Sequence, residues 1–272
     1  MEQPTLNIKK RLEEIDEMYD STNRLNTFNG MIVGPKGCGK TTVWATARRP
    51  IIAAMFDPGG PKSIRDEIRK GGIHIMSYEG ESWKKPKEYA QWEADYMKLE
   101  TDGVFEQIGT YVIDSASTWI HAMMNCIISK QMTERKKDRP NFLPAIGDYN
   151  VALYTMIDII KRISNQPCDF ILTGHMVKEV DQLTGGFVMT FKAFPSMQID
   201  MPLLFDEFYI MADSGQTDEQ GGTINHLLTG KKGIREASTR IGAGGKFDLY
   251  EKPDIKNLLK KAGMPYEDKE VT

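Results

Sequence analysis

Cysteine is scarce in this chain: Cys38, Cys126 and Cys168 are the only three in 272 residues. An odd, widely spaced set builds no disulfide framework and has no zinc-ligand spacing, so reduced and mostly buried thiols are expected. Long apolar runs are missing too. No stretch of about 18 uncharged apolar residues occurs, which excludes a hydrophobic helix of membrane-spanning length. The N-terminus, with Glu13, Glu14, Asp16 and Glu17, has neither a signal-peptide apolar region nor a basic transit composition, so a cytoplasmic protein without a membrane partner is expected. Charge of one sign is absent as well. Lys and Arg number 35 against 38 Asp and Glu, and a net charge of -3 offers nucleic acid no overall attraction, so any such binding needs a local basic patch. What remains is 40% apolar, enough for one large α/β core or a core with a small appendage.

Against those absences one segment stands out. Gly34, Pro35, Lys36, Gly37, Cys38, Gly39, Lys40, Thr41 and Thr42 follow a short apolar run and match the spacing of a phosphate-binding P-loop. The glycines let backbone N–H groups curl around phosphates, Lys40 reaches the β- and γ-phosphates, and the Thr41 hydroxyl ligates Mg²⁺. Background residue frequencies give such a pattern about one accidental occurrence per hundred chains of this size. Its context lowers that further: residues 28–33 read as a strand and 40–47 as a helix, ended because Pro50 disfavours helix at Arg49. ATP with Mg²⁺ is the expected ligand.

Around the P-loop the chain alternates strand and helix. Residues 7–20 have Ile8, Leu12, Ile15 and Tyr19 at helical spacing and read as an amphipathic arm over a domain boundary near residue 26. Residues 51–56 and 73–77 read as strands, and 84–100 as a helix whose Tyr89, Trp92, Tyr96 and Leu99 face the core. Residues 110–114 are an apolar strand ending in Asp114, where a P-loop protein holds its metal opposite the P-loop threonine. Helices are expected at 117–135 and 148–164, separated by the basic loop Lys136 to Pro140. The next strand, 168–175, carries Thr173 and His175 at its tip. A hairpin about Gly185 is expected within 178–193, further strands at 203–211 and 223–228, a helix at 253–262 stopped by Gly263, and a flexible tail at 263–272.

With these landmarks the chain resembles the RecA-like core ATPases of bacteriophages, both the AAA-type nucleotide-binding proteins and the short RecA-core single-strand annealing proteins. The motifs carrying the resemblance are Gly34 to Thr41, Phe56-Asp-Pro-Gly-Gly60, Val112-Ile-Asp-Ser115, Leu172-Thr-Gly-His175, Phe205-Asp-Glu-Phe208 and Ala237-Ser-Thr-Arg240. It implies an α/β fold: an additional-strand P-loop NTPase core over residues 27–262, mainly parallel, flanked by helices and followed by C-terminal β-hairpins. It also implies that the 168–175 strand lies between the P-loop strand and the Asp114 strand. By the same resemblance Thr41 and Asp114 hold Mg²⁺, His175 senses the γ-phosphate, and Arg240 or Lys232 acts in trans in a homo-oligomeric ring or filament. For a phage-encoded protein it implies the host cytoplasm.

The chain departs from that pattern after the second strand. RecA-like enzymes usually have a water-activating glutamate there, whereas here Asp57 precedes Pro58, Gly59 and Gly60, with Glu67 further along. A shorter carboxylate displaced by about 1 Å from the attacking water loses much of the rate, so slow hydrolysis is expected. The leading reading is an ATPase in DNA recombination or annealing. In it the Lys136 to Arg139 loop and the hairpin face single-stranded DNA, and Phe142, Phe187 and Phe191 stack on bases. A DNA-packaging motor and a slowly hydrolysing switch or assembly factor are the alternatives.

Overall fold

The computed structural model describes residues 8–20, 24–134, 143–180, 185, 187–217, 219, 221–233 and 235–270. Its order is α1 (Ile8–Asp20), β1 (Asn29–Gly34), α2 (Lys40–Trp44), β2 (Ile51–Met55), α3 (Arg65–Arg69), β3 (Ile73–Ser77), α4 (Glu88–Thr101), α5 (Val104–Gln107) and β4 (Thr110–Asp114). Then come α6 (Ala116–Glu134), α7 (Ile146–Ser164), β5 (Asp169–Val180), β6 (Phe187–Phe191), α8 (Pro195–Asp200), β7 (Glu207–Thr217) and β8 (Thr223–Leu228). The short pairs β9 (Lys231–Lys232) and β10 (Arg235–Glu236), then β11 (Tyr250–Glu251) and α9 (Ile255–Ala262), complete it.

Among the described residues nine strands form the main sheet, with the path β11-β8-β7-β1-β5-β4-β2-β3 and β6 attached to β5. From β7 to β3 every neighbouring pair is parallel, while β8, β11 and β6 add antiparallel edges. The sheet is buried on both faces, so its strands read as near-continuous apolar runs, and the period of two divides each run between two cores. Met31, Val33, Tyr111, Ile113, Phe170 and Leu172 point into one core with residues of α4, α6 and α7. Ile32, Ala53, Val112, Ile171 and Tyr209 point into the other, with Val43 and Trp44 of α2 and Leu258 and Leu259 of α9. The expected aromatic stripe of α4 is core: Trp92 stacks with Tyr96, meets Trp119 edge-on, and donates from Nε1 to the Tyr111 hydroxyl at 2.9 Å.

Several expected boundaries move, each for a local reason. The helix after the P-loop stops at Trp44 rather than residue 47, because the Thr46 hydroxyl bonds back to the Val43 carbonyl at 2.6 Å in a tightened turn. The strand expected from 203 begins at Glu207, since Pro202 opens a 3-10 turn over Pro202–Leu204. The tail expected to be free is tied down: Asp268 accepts from the Arg49 backbone at 2.6 Å and pairs with Lys256, and Lys269 donates from Nζ to Pro167 O at 2.7 Å. The hairpin forms as expected, with register from Met176↔Phe191 to Val180↔Phe187. The basic loop at 136–140, Phe142 and the Phe187 side chain lie outside the described residues.

Candidate nucleotide site

The P-loop leaves β1 at its C-terminal end. Gly34 can only be glycine there, because a Cβ would lie 2.7 Å from both Cys38 Sγ and Met211 Cβ. Gly37 and Gly39 have φ of 82° and 88°, left-handed conformations that coil the loop into a concavity of backbone N–H groups. Lys40 is buried, and its ammonium donates to Gly34 O at 3.1 Å and Pro35 O at 2.8 Å. Cys38 lies beside it at 3.9 Å, and burial pushes its thiol pKa up, so it remains a neutral packing group.

Asp114 ends β4 on the far side of β5. Its Oδ2 accepts from Thr41 Oγ1 at 2.8 Å and from Trp44 Nε1 at 2.9 Å, and its Oδ1 accepts from Thr173 Oγ1 at 2.6 Å. The P-loop threonine and the strand-end carboxylate are thus already in contact, with β5 supplying a hydroxyl to the other carboxylate oxygen. Such a pair of hard oxygens suits Mg²⁺, which takes one or two protein oxygens and completes its shell with phosphates and water. Among the described residues no group of three or more His, Cys, Asp or Glu gathers into an all-protein metal cage.

Asp57 sits just past β2, where Phe56 N and Asp57 N both donate to Asp114 O at 2.7 and 3.3 Å. One carboxylate oxygen accepts from Ser115 Oγ at 2.9 Å and Thr118 Oγ1 at 2.5 Å, and the other meets His175 Nε2 at 2.6 Å. His175 Nδ1 lies 3.5 Å from Lys40 Nζ, which assigns Nε2–H as the donor to Asp57 and links Lys40, His175 and Asp57 in one line. Burial is the largest influence on Asp57 and acts to raise its pKa. The hydrogen bonds from His175, Thr118 and Ser115 outweigh it and hold the carboxyl below the usual range. Glu79, just past β3, accepts from Gly59 N at 2.9 Å and steadies the loop behind Asp57.

These groups face one open cavity of about 520 Å³, lined by the P-loop, residues 57–60, Ser63, Asp114 and His175. Lys40, Thr41, Asp57, Asp114 and His175 are therefore brought together as their motifs indicated. Glu67 is not, being paired with Arg49 at 3.0 Å and Lys70 at 2.5 Å. Arg240 is outside the cavity of its own chain. It pairs with Asp206 at 2.7 Å beside Glu207, which is level with Gly30 at the start of β1, the end of the sheet opposite the P-loop. Lys232 Nζ lies over the Tyr250 ring at 4.6 Å. Phe191, expected to stack on bases, is buried: a Cβ on Gly174 would come within 2.5 Å of its ring. Sequence reasoning missed Trp44, Ser115, Thr118 and Glu79. For Ser115 and Thr118 the start of a helix just past Asp114 was the available signal; Trp44 and Glu79 carried none.

A P-loop, a strand-end aspartate touching its threonine and an extra strand between the two define a P-loop nucleoside-triphosphate-binding domain. Comparison with protein families gives the next step: a family described as an AAA domain matches residues 27–206, and the chain belongs to that family. No curated protein matches the sequence. Among solved structures, a unique ATP synthase subunit, NeqB from Nanoarcheaum equitans, is similar at 15% identity and a TM-score of 0.42. The alignment covers 87% of this chain and 54% of that one, so this chain spans about half the length of that relative.

Proposed function

We propose that the chain binds Mg-ATP in this cavity, hydrolyses it slowly, and couples nucleotide state to single-stranded DNA in recombination or annealing. The observation that supports the chemistry is the pair of contacts in one cavity, Thr41 to Asp114 and Asp57 to His175. Lys40 exchanges the Gly34 and Pro35 carbonyls for the β- and γ-phosphates, a move between acceptors that keeps its N–H donors engaged throughout. Thr41 and Asp114 hold Mg²⁺, which when bound neutralises charge on the phosphate oxygens. Asp57 orients the attacking water and accepts its proton, and His175, between Asp57 and Lys40, registers the γ-phosphate. The depressed basicity of Asp57 is the reason for a slow rate, because a weaker base gives less driving force for proton removal.

The DNA arm of the reading rests on continuity. β5 carries His175 level with Gly34 at the end of β1, then runs on through Met176 and exposed Lys178 into the β5–β6 hairpin. A strand whose base touches the phosphate site and whose far end stands beyond the sheet transmits small shifts between the two. In a homo-oligomeric ring or filament, Arg240 and Lys232 act on a neighbouring copy's nucleotide, since neither reaches the cavity of its own chain.

ATP turnover by wild type and Lys40→Ala, without DNA and with single-stranded or duplex DNA, tests this. Single-strand stimulation that Lys40→Ala abolishes is the expected result. A second reading, a nucleotide-dependent switch, is favoured by the three donors already engaging Asp57. Tight ATP binding with negligible turnover, indifferent to any DNA, selects it.

A further inference from the structure

The loop between β3 and α4 gathers cations around a half-exposed indole. Trp83 is 50% exposed, while Trp44, Trp92 and Trp119 are at most 1% exposed. Within residues 79–87 Trp83 is the one large apolar side chain, and Lys84, Lys85 and Lys87 follow it. Lys84 Nζ lies 5.3 Å from the centre of the Trp83 ring, and the Lys87 side chain is 76% exposed. The carboxylates of the same stretch are used inward. Glu79 accepts from Gly59 N, and Glu81 accepts from Asn125 Nδ2 at 2.8 Å and from Glu88 N at 3.3 Å. Of the three lysines only Lys87 has a carboxylate in range among the described residues, the buried Glu88 at 3.6 Å. An acidic chain thus presents a local cationic surface, the condition that its net charge of -3 imposes on nucleic-acid binding.

We propose that this loop is a contact for single-stranded DNA, with a base stacked on Trp83 and phosphates on Lys84 and Lys85. A single strand offers a flat base and a charge in every nucleotide, which an exposed indole beside ammonium groups matches. A duplex keeps its base faces stacked inside and shows a protein only edges and phosphates, so the ring selects an unpaired strand. An acidic peptide engages the lysines and leaves the ring unused, and one indole with no second large apolar side chain in the loop buries little area in lipid. Phe191 is buried and offers a base no face. The foot of the loop also reaches the nucleotide site. β3 lies parallel to β2, so the loop leaves the sheet at the same end as Asp57. Tyr78 stacks on Phe56 with ring centres 5.2 Å apart, and Glu79 holds Gly59 N at 2.9 Å. Phe56 and Gly59 flank Asp57 and Pro58, so a strand drawn onto Trp83 acts on the segment that sets the Asp57 carboxylate, by a route that does not pass through β5.

The inference rests on the single-strand reading above and gives it a contact. Tryptophan fluorescence of the full chain, titrated without nucleotide by a thymidine oligonucleotide and by a duplex, tests it, with the folding of each variant checked by circular dichroism. The single strand should quench wild-type emission and the duplex should not. The quenching should vanish in Trp83→Phe, because the other three indoles are buried. By anisotropy of a labelled strand, Trp83→Ala should bind about tenfold more weakly, within the range for losing one stacked base. Lys84→Ala with Lys85→Ala should lower the slope of log affinity on log salt by about 0.7 for each phosphate released. Glu79→Ala should keep the affinity and lose single-strand stimulation of ATP turnover, and Glu79→Gln, which retains an acceptor for Gly59 N, should restore it. Unchanged single-strand affinity in Trp83→Ala would overturn the inference and leave the DNA reading standing. No single-strand binding by wild type would overturn both. Equal quenching by duplex, or quenching by anionic phospholipid vesicles in place of DNA, would assign the loop another partner, and stimulation intact in Glu79→Ala would overturn the coupling.

Discussion

The two ends of the same parallel sheet each hold buried or half-buried carboxylates, and they are satisfied in different ways. At the N-terminal ends of the strands, Asp169 accepts from Arg48 Nε at 2.7 Å, Arg48 Nη2 at 2.5 Å and Phe28 N at 2.7 Å. Glu207 there accepts from the Tyr209 and Thr239 hydroxyls and from the Arg240 and Ile241 backbone at 2.8 and 3.0 Å. At the C-terminal ends, apart from the Trp44 indole, Asp114 and Asp57 are held by four hydroxyls and an imidazole, groups that turn to other partners by rotating about one or two bonds. The first end adds a guanidinium and backbone N–H groups to its two hydroxyls, donors that are fixed by the chain, and locks the fold. The second keeps its carboxylates satisfied yet exchangeable, which suits a site that must admit phosphate and metal at the carboxyl edge of a parallel sheet.

That contrast breaks most sharply at Asp169. Asp169→Ala leaves Arg48 buried without its carboxylate and should cost about 3–5 kcal/mol in urea unfolding, the largest stability loss of the set. Lys40→Ala should keep near wild-type stability while lowering ATP turnover by about 10²–10³-fold, as expected when a preorganised cation is removed from charge that develops in the transition state. Asp57→Asn should reduce turnover about 10²-fold if the carboxylate is the base, with ATP affinity little changed, which equilibrium binding separates from the rate.

Trp44→Phe removes one donor to Asp114 and should cost about 1 kcal/mol of stability, read from the shift in urea midpoint. The smallest effect is on pH dependence. Because the folded Asp57 pKa is depressed, its stabilising contribution is present above the unfolded value of 3.8 and is lost as pH falls through the lower folded value. Wild type and Asp57→Asn should therefore converge in stability only at pH below about 3.8. Convergence already near neutral pH would assign the pairing energy to some other group.

Legibility in the sequence followed the range of the interactions. The P-loop could be read because its nine residues are contiguous and their spacing is itself the geometry. Asp114 could be read because an acidic residue ending an apolar strand is local, and the parallel core because its strands are apolar throughout. The roles of Ser115 and Thr118 were hidden by the 58 and 61 residues that separate them from Asp57. Glu79 was hidden because holding Gly59 needs β3 beside β2. The place of Arg240, beside Asp206 at the end of the sheet away from its own cavity, was not legible because a cation's position in the chain says nothing about which end of a sheet it reaches.

Local backbone demands and hydrophobic period, which depend on neighbours a few residues away, determined from the sequence alone that this is an α/β chain with a P-loop, an apolar strand ending in an aspartate and an amphipathic N-terminal helix. The tertiary structure decided the rest. Only strand order puts β5 between β1 and β4, so that Thr173 meets Asp114 and His175 bridges Lys40 and Asp57. Hydrogen bonds of under 3 Å between groups more than 50 residues apart come from packing a sheet and its helices together, and no spacing within one strand encodes them.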